Sequence, residues 1–297
     1  MGDLRLRIGG HVVAIQGDNA VRFWSGYEGS QRFVDAGSEP EFVIRFGQPV
    51  KPWENVTVLS RFSFSENNSR CEFSRSNDNP NSSRRCYQYT MSYGEDAVPQ
   101  ICMHYEEGSK EVLASDCSDS SMLRFSTWFA YSMLLAPLGI TFVHSSVIVY
   151  RERAILFLGE SGTGKSTHTR LWMKNIENAH LLNDDSPVIK VENGFPVIYG
   201  SPWSGKTPCY YPYKFPLAAV IRLSQAPHNK IIPLSIPRAF AALQPSLPPA
   251  LMQDDRFADM MIDILSGTVG KVPFYHLECL PDADAAKLSC KTVFGKE

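Results

Sequence analysis

Residues 154–167 constrain this chain more than any other stretch. The apolar run Ala154, Ile155, Leu156, Phe157 and Leu158 passes directly into Gly-x-x-x-x-Gly-Lys-Ser. That is a phosphate-binding loop pattern, standing where the physics requires it, between a buried strand and the start of a helix. Gly159, Gly162 and Gly164 let the backbone turn tightly and bring its N–H groups near phosphate oxygens; Glu160, Ser161, Thr163 and Thr167 complete the cradle. Lys165 can reach the β- and γ-phosphates, and the Ser166 hydroxyl can ligate Mg2+. The stretch reads as a nucleotide site.

A second signal follows downstream, where the apolar pair Leu181 and Leu182 runs through Asn183 into two consecutive carboxylates, Asp184 and Asp185. Phosphoryl transfer asks a protein for positioning and charge stabilisation. One aspartate can hold Mg2+, directly or through water, and the other can accept the proton of an acceptor hydroxyl; the residues leave the order open. Neighbouring strand residues face opposite ways, so the pair shares a site only at a strand end where the chain turns, which Ser186-Pro187 permits. Upstream, residues 140–150 read as one strand containing His144, and residues 151–153 as a turn. Residues 188–191 and 195–199 read as a hairpin about Asn193-Gly194. A further glycine-bearing polar loop, residues 200–207, carries Lys206.

The motifs together resemble the catalytic domain of HPr kinase/phosphorylase: His144 upstream, Gly-x-Ser-Gly-x-Gly-Lys-Ser-Thr, then Asp-Asp. The same layout is similar to the nucleotide domain of ATP-dependent phosphoenolpyruvate carboxykinase. The resemblance covers residues 140–207 and implies a mixed α/β (α+β) architecture: a P-loop catalytic domain of this superfamily joined to an N-terminal β-rich domain. It implies ATP and Mg2+ as ligands, with residues 159–167 on the triphosphate, Ser166 on the metal, and Asp184 and Asp185 as base and metal ligand. It places His144 near the transferred phosphoryl group or the metal, and Lys206 as a second phosphate-facing lysine; a surface lysine is the alternative reading of Lys206. It also implies a homo-oligomer. The N-terminal region does not resemble the sensor domain of bacterial HPr kinases, and their glycine-rich signature after Asp-Asp is missing. HPr as acceptor and the reverse reaction therefore do not carry over. Ser186 and Pro187 after the aspartates, and the lack of arginine-rich substrate motifs, argue against oxaloacetate decarboxylation.

The expected activity is an ATP-dependent kinase that transfers the γ-phosphoryl group to a hydroxyl, on a protein serine or a small molecule. The alternatives are a nucleotide-binding regulatory module with weak catalysis and, behind it, carboxykinase-like lyase chemistry. Residues 1–118 read as the β-rich domain and residues 119–297 as the nucleotide domain. Within the first, residues 12–15, 21–24 and 41–46 look like strands, and Tyr87, Tyr89, Met91 and Tyr93 alternate as on a half-buried strand. Residues 65–85, rich in Ser, Asn and Arg, read as a long solvated loop. Residues from Ser120 to the Pro137 and Gly139 stop read as an apolar helix. A net charge of −2 gives no footprint for nucleic acid or an anionic membrane. With no run of about 18 apolar residues, no signal-peptide core and seven cysteines without a Cys-x-x-Cys pair, a reduced cytoplasmic setting without a membrane partner is expected.

Overall fold

The computed structural model describes residues 2–64, 69–78, 83–94, 98–205 and 207–295. The chain divides into two compact units, residues 1–138 with 250–258, and residues 139–249 with 259–297.

The first unit is built on an eight-stranded mixed sheet. Its strands are β1 (Leu4–Ile8), β2 (His11–Gln16), β3 (Phe42–Arg45), β4 (Val56–Phe64), β5 (Ser69–Ser76), β6 (Cys86–Tyr93), β7 (Ile101–Glu106) and β8 (Glu111–Ala114). They lie in the order β1-β2-β3-β8-β7-β6-β5-β4. The helices are α1 (Asp18–Gly26) and α2 (Ser120–Leu135).

Three sequence expectations are corrected here. Residues 21–24 belong to helix α1 rather than a strand, because Ala20 and Trp24, four apart, share its one buried face. Strand β5 runs through the polar stretch expected to be loop; Cys71 and Phe73 are fully buried while Arg70 and Glu72 alternate outward. Strand β6 is buried on both faces, not one: Phe129 of α2 covers one, stacking on Tyr89 at 4.4 Å and meeting Phe73 edge-on at 5.2 Å, and on the other Gln88 accepts from the Trp53 N–H at 2.6 Å. The same contacts explain why α2 counts with the first unit, whereas the sequence placed it with the second.

Two of the arginines read as loop residues are also committed. Asp254, whose side chain is fully buried, accepts from Arg85 at 3.0 Å, Arg75 at 3.4 Å and the Tyr87 hydroxyl at 3.0 Å. This ion cluster is the reason residues 250–258 belong to the first unit. None of the seven cysteines is joined in a disulfide.

The second unit holds a nine-stranded mixed sheet. Its strands are β9 (Ile140–Phe142), β10 (Ser145–Tyr150), β11 (Arg153–Leu158), β12 (His180–Asp185), β13 (Val188–Glu192), β14 (Phe195–Tyr199), β15 (Lys214–Gln225), β16 (Lys230–Pro233) and β17 (Phe274–Cys279). Helices α3 (Lys165–Asn175), α4 (Ile236–Leu243), α5 (Asp255–Thr268) and α6 (Ala283–Phe294) complete it, α5 beginning in the residues counted with the first unit. The main path is β12-β10-β11-β15-β14-β13-β9, with β17 alongside β15 and β16 alongside β17. β11 is parallel to β15 and antiparallel to β10. The expected hairpin forms: Asn193 and Gly194 both take positive φ, at 50° and 79°.

The core of this unit lies between the sheet and α3 and α6. Ile155 and Phe157 of β11 and Ile221 of β15 meet Trp172, Ala286 and Cys290 there. One imidazole is buried in it. His168 Nε2 accepts from the Trp172 indole at 3.3 Å, and Trp172 also donates to Ser289 Oγ at 2.9 Å. That geometry requires neutral His168, and burial pushes its pKa down to about 4.

The unfolded chain takes up a proton at this position below about pH 6.5, which the folded chain refuses until about pH 4. The stabilisation is therefore complete above pH 6.5 and is lost as pH falls towards 4, by roughly 3 kcal/mol at full extent. Urea unfolding of wild type and His168→Gln at about pH 7 and about pH 4.5 checks it. The variant should lose distinctly less stability on acidification, and parallel losses would refute the assignment.

Candidate functional site

The sheet and α3 meet at loop 159–164, which links β11 to α3 as the sequence pattern demands. Gly162 and Gly164 take φ of 83° and 102°, in the left-handed region that favours glycine. A Cβ on Gly159 would collide with the Thr163 hydroxyl. Thr163 braces the turn instead, its N–H and Oγ1 both donating to the Glu160 carbonyl, at 3.2 and 2.7 Å. No side chain caps α3, which leaves its first N–H groups turned to the loop as anion donors. Ser161 is exposed, and Thr167 sits in the first turn of α3.

Lys165 Nζ donates to the Gly159 carbonyl at 2.7 Å and the Glu160 carbonyl at 3.3 Å, and meets His144 Nε2 at 3.1 Å. Burial holds its pKa below the ordinary lysine value; Asp185 and Asp184 oppose the shift and Arg222 adds to it. An ammonium can only donate, so His144 Nε2 accepts and the imidazole proton sits on Nδ1. Nδ1 lies 3.2 Å from Asp185 Oδ1. Lys165 and Asp185 thus flank the His144 imidazole, one at each ring nitrogen.

The strand expected over residues 140–150 is two strands, β9 and β10, with different partners. The break at Val143-His144 is satisfied from outside the ladders: the Val143 N–H donates to the Pro187 carbonyl at 2.9 Å and the His144 N–H to the Ser246 carbonyl at 2.7 Å. This leaves the His144 ring about half exposed beside the loop.

β12 brings both aspartates to the same end. Asp184 pairs with Ser146 and Asp185 with Ser145, after a bulge that leaves Leu182 without an opposite residue. Asp184 turns towards the start of α3, where its Oδ1 accepts from Ser166 Oγ at 3.0 Å. Asp185 turns to His144, and its Oδ2 accepts from Ser186 Oγ at 3.1 Å. The residue Asp184 is 4% exposed, and its Oδ2 is buried with no hydrogen-bond partner. A buried carboxylate oxygen without a donor is costly. Beside the Ser166 hydroxyl such an oxygen fits a hard divalent cation, so Ser166 and Asp184 could hold Mg2+.

Among the described residues no group of three or more His, Cys, Asp or Glu side chains converges on one point. Lys206 lies outside the described residues.

Three site residues escaped the sequence reading. Asn183, fully buried, donates to the carbonyls of Ser201 and Trp203 at 3.2 and 3.1 Å and accepts from the Ser186 N–H at 3.0 Å. Ser201 Oγ donates to the Ser186 carbonyl at 2.6 Å. Together they pin the turn that follows Asp185. Arg222, at the end of β15, was the third. A polar Asn just before two carboxylates, and a lone cation in an apolar run, were the signals available for two of them.

No protein-family model matches this chain, and no curated protein does. Among solved structures it is similar to the Hpr(Ser) kinase/phosphatase from Coxiella burnetii, a distant likeness with 12% identity and a TM-score of 0.28, covering 50% of this chain and 90% of that one. No helix among the described residues is long and apolar enough to cross a membrane.

If Asp184 is kept charged for a cation, removing the charge stabilises the cation-free protein. Asp184→Asn should gain about 1 kcal/mol in denaturant unfolding without metal. Millimolar Mg2+ should raise the thermal midpoint of wild type and leave that of the variant unchanged. An unstabilised variant that still responds to Mg2+ would remove Asp184 from the cation site.

Proposed function

We propose that this protein is an ATP-dependent phosphotransferase that moves the γ-phosphoryl group onto a hydroxyl, of a protein serine or of a small molecule. The observation that carries the reading is the pairing of two differently housed carboxylates with one phosphate loop: Asp184 buried on Ser166, Asp185 half exposed on His144. Nucleotide binding alone needs only the first.

Residues 159–167 would receive the triphosphate, through the loop N–H groups and the start of α3. Lys165 would exchange its carbonyl partners for phosphate oxygens. Ser166 and Asp184 would hold Mg2+, which when bound neutralises charge on the β- and γ-phosphates. Asp185 is the base in this reading, because Asp184 is enclosed whereas the Asp185 carboxylate has 35% of its side-chain surface open to solvent. It would accept the acceptor hydroxyl's proton as the oxygen attacks. His144 Nδ1, 3.2 Å from the carboxylate, would hold it in place, and the contact from Lys165 to Nε2 would fix the tautomer that does so. ATP, Mg2+, these residue roles and a homo-oligomeric cytoplasmic protein are parts of one proposal.

The decisive experiment follows label from γ-labelled ATP with Mg2+ into cell lysate proteins and a panel of free hydroxyl compounds. Wild type should label an acceptor. Lys165→Met should lose ATP affinity by about 100-fold or more, since the triphosphate loses its main charge partner. Asp185→Asn should bind ATP within about threefold of wild type while transfer falls by about 100-fold or more. Tight ATP binding with no label on any acceptor would refute the kinase reading and leave a regulatory nucleotide-binding module.

A further inference from the structure

Strand β15 is apolar from Leu217 to Leu223 except at Arg222. Ile221 and Leu223 enter the core beneath α3 and α6, so Arg222 between them turns to the opposite face. It lies in register with Leu158, the last residue before the phosphate loop. That is the carboxyl end of two parallel strands, where open α/β sheets bind their ligands.

The guanidinium is poorly served there. Only 30% of the side chain is exposed, yet its two contacts are long: 3.6 Å to Glu160 Oε1 and 3.5 Å to the Ala242 carbonyl. Charge-assisted hydrogen bonds to a carboxylate or phosphate run at about 2.7–2.9 Å. A planar fork of five donors is suited to bidentate anion contact, and neither partner provides it. Arg222 also stands close enough to Lys165 to act on it as a like charge. Two cations thus stand near the loop.

Glu160 is the complementary oddity. It places a carboxylate in the second position of a loop expected to receive a triphosphate, where it repels that ligand. Its carbonyl serves the loop, accepting from Lys165 and Thr163, while its side chain is 84% exposed and reaches only Arg222 among its charged neighbours described here.

We infer that Arg222 is a second phosphate-binding cation of this site, paired with Glu160 until the terminal phosphate of a nucleoside triphosphate displaces that carboxylate. The inference rests on the nucleotide reading above and adds the residue that distinguishes triphosphate from diphosphate. No bond is made or broken in the exchange; one ion pair replaces another, and Glu160 is released to solvent. The resulting contact would leave guanidinium donors on the phosphoryl group that moves, where charge stabilisation assists transfer.

Calorimetric titration of the full chain with Mg2+-AMP-PNP and, separately, Mg2+-ADP tests it. Arg222→Gln should weaken the triphosphate analogue by about tenfold or more and ADP by less than about threefold. Arg222→Lys should fall between, keeping the charge without the fork. Glu160→Gln should tighten AMP-PNP by about threefold or more, because a competing carboxylate is gone. The lysine and glutamine replacements keep the test intact if Arg222→Gln folds poorly. Equal losses for both nucleotides, or unchanged AMP-PNP binding across the variants, would overturn the inference while leaving the nucleotide site standing. Failure of wild type to bind either nucleotide would overturn the functional reading itself, and this inference with it.

Discussion

Asp184 sits where a carboxylate is expensive, and the surrounding structure is arranged to hold it there. Its backbone lies at the end of β12, one side-chain oxygen takes a serine hydroxyl, and the other is enclosed without a donor. A free strand end would relax to hydrate that oxygen. Here it cannot, because the Gly205 N–H donates to the Asp184 carbonyl at 2.6 Å and a Cβ on Gly205 would come within 2.9 Å of that oxygen. Asn183 and Ser201 fix the next turn through buried hydrogen bonds. Such a network rigidifies when every member is satisfied. The one oxygen left unsatisfied is the one a cation would use.

The remaining geometry follows from sheet alternation. Because neighbouring strand residues face opposite ways, Asp184 and Asp185 cannot both look at α3. Loop 159–164 lies at the strand ends, reachable from both faces, so each carboxylate meets it from its own side. On the α3 side the sheet is covered by a dry core of Ile155, Phe157 and Trp172. On the other, β9 and β10 part at Val143-His144, and the segment Gln244–Ser246 accepts the freed His144 N–H. That break gives a half-exposed imidazole to the face carrying Asp185 and Arg222.

The parts legible in the sequence were those whose chemistry is local. A strand, a glycine loop and Lys165 at a helix start need nothing from the rest of the chain, and the Asn193-Gly194 hairpin is equally self-contained. Pairing partners were not local. Residues 140–150 carry an unbroken apolar pattern, and only the two different neighbours, β13 and β12, show that His144 interrupts it. Strand β5 hid in a Ser- and Arg-rich stretch because Arg75 and Arg85 pair with Asp254, far along the chain. Residues 21–24 satisfied a strand pattern as short apolar runs do, and the four-residue spacing of Ala20 and Trp24 decided for α1. Which aspartate faced α3 depended on the register of β12 against β10, a quantity composition does not contain.

Charge arithmetic at the loop links these features to the proposed chemistry. Among the described residues, two cations, Lys165 and Arg222, stand against three carboxylates, Glu160, Asp184 and Asp185. Such a site would repel a bare triphosphate, which the proposed function has to answer. Each carboxylate has a different way to stop being an obstacle. Asp184 could share a divalent cation with incoming phosphates, Asp185 already lies 3.2 Å from His144 Nδ1, and Glu160 could be displaced from Arg222 into water. Only the last would free a cation by the act of binding, and it would do so more fully for a ligand whose terminal phosphate reached β15. A loop written with an acid in its second position is therefore compatible with nucleotide affinity, provided that an arginine stands opposite to exchange one anion for another.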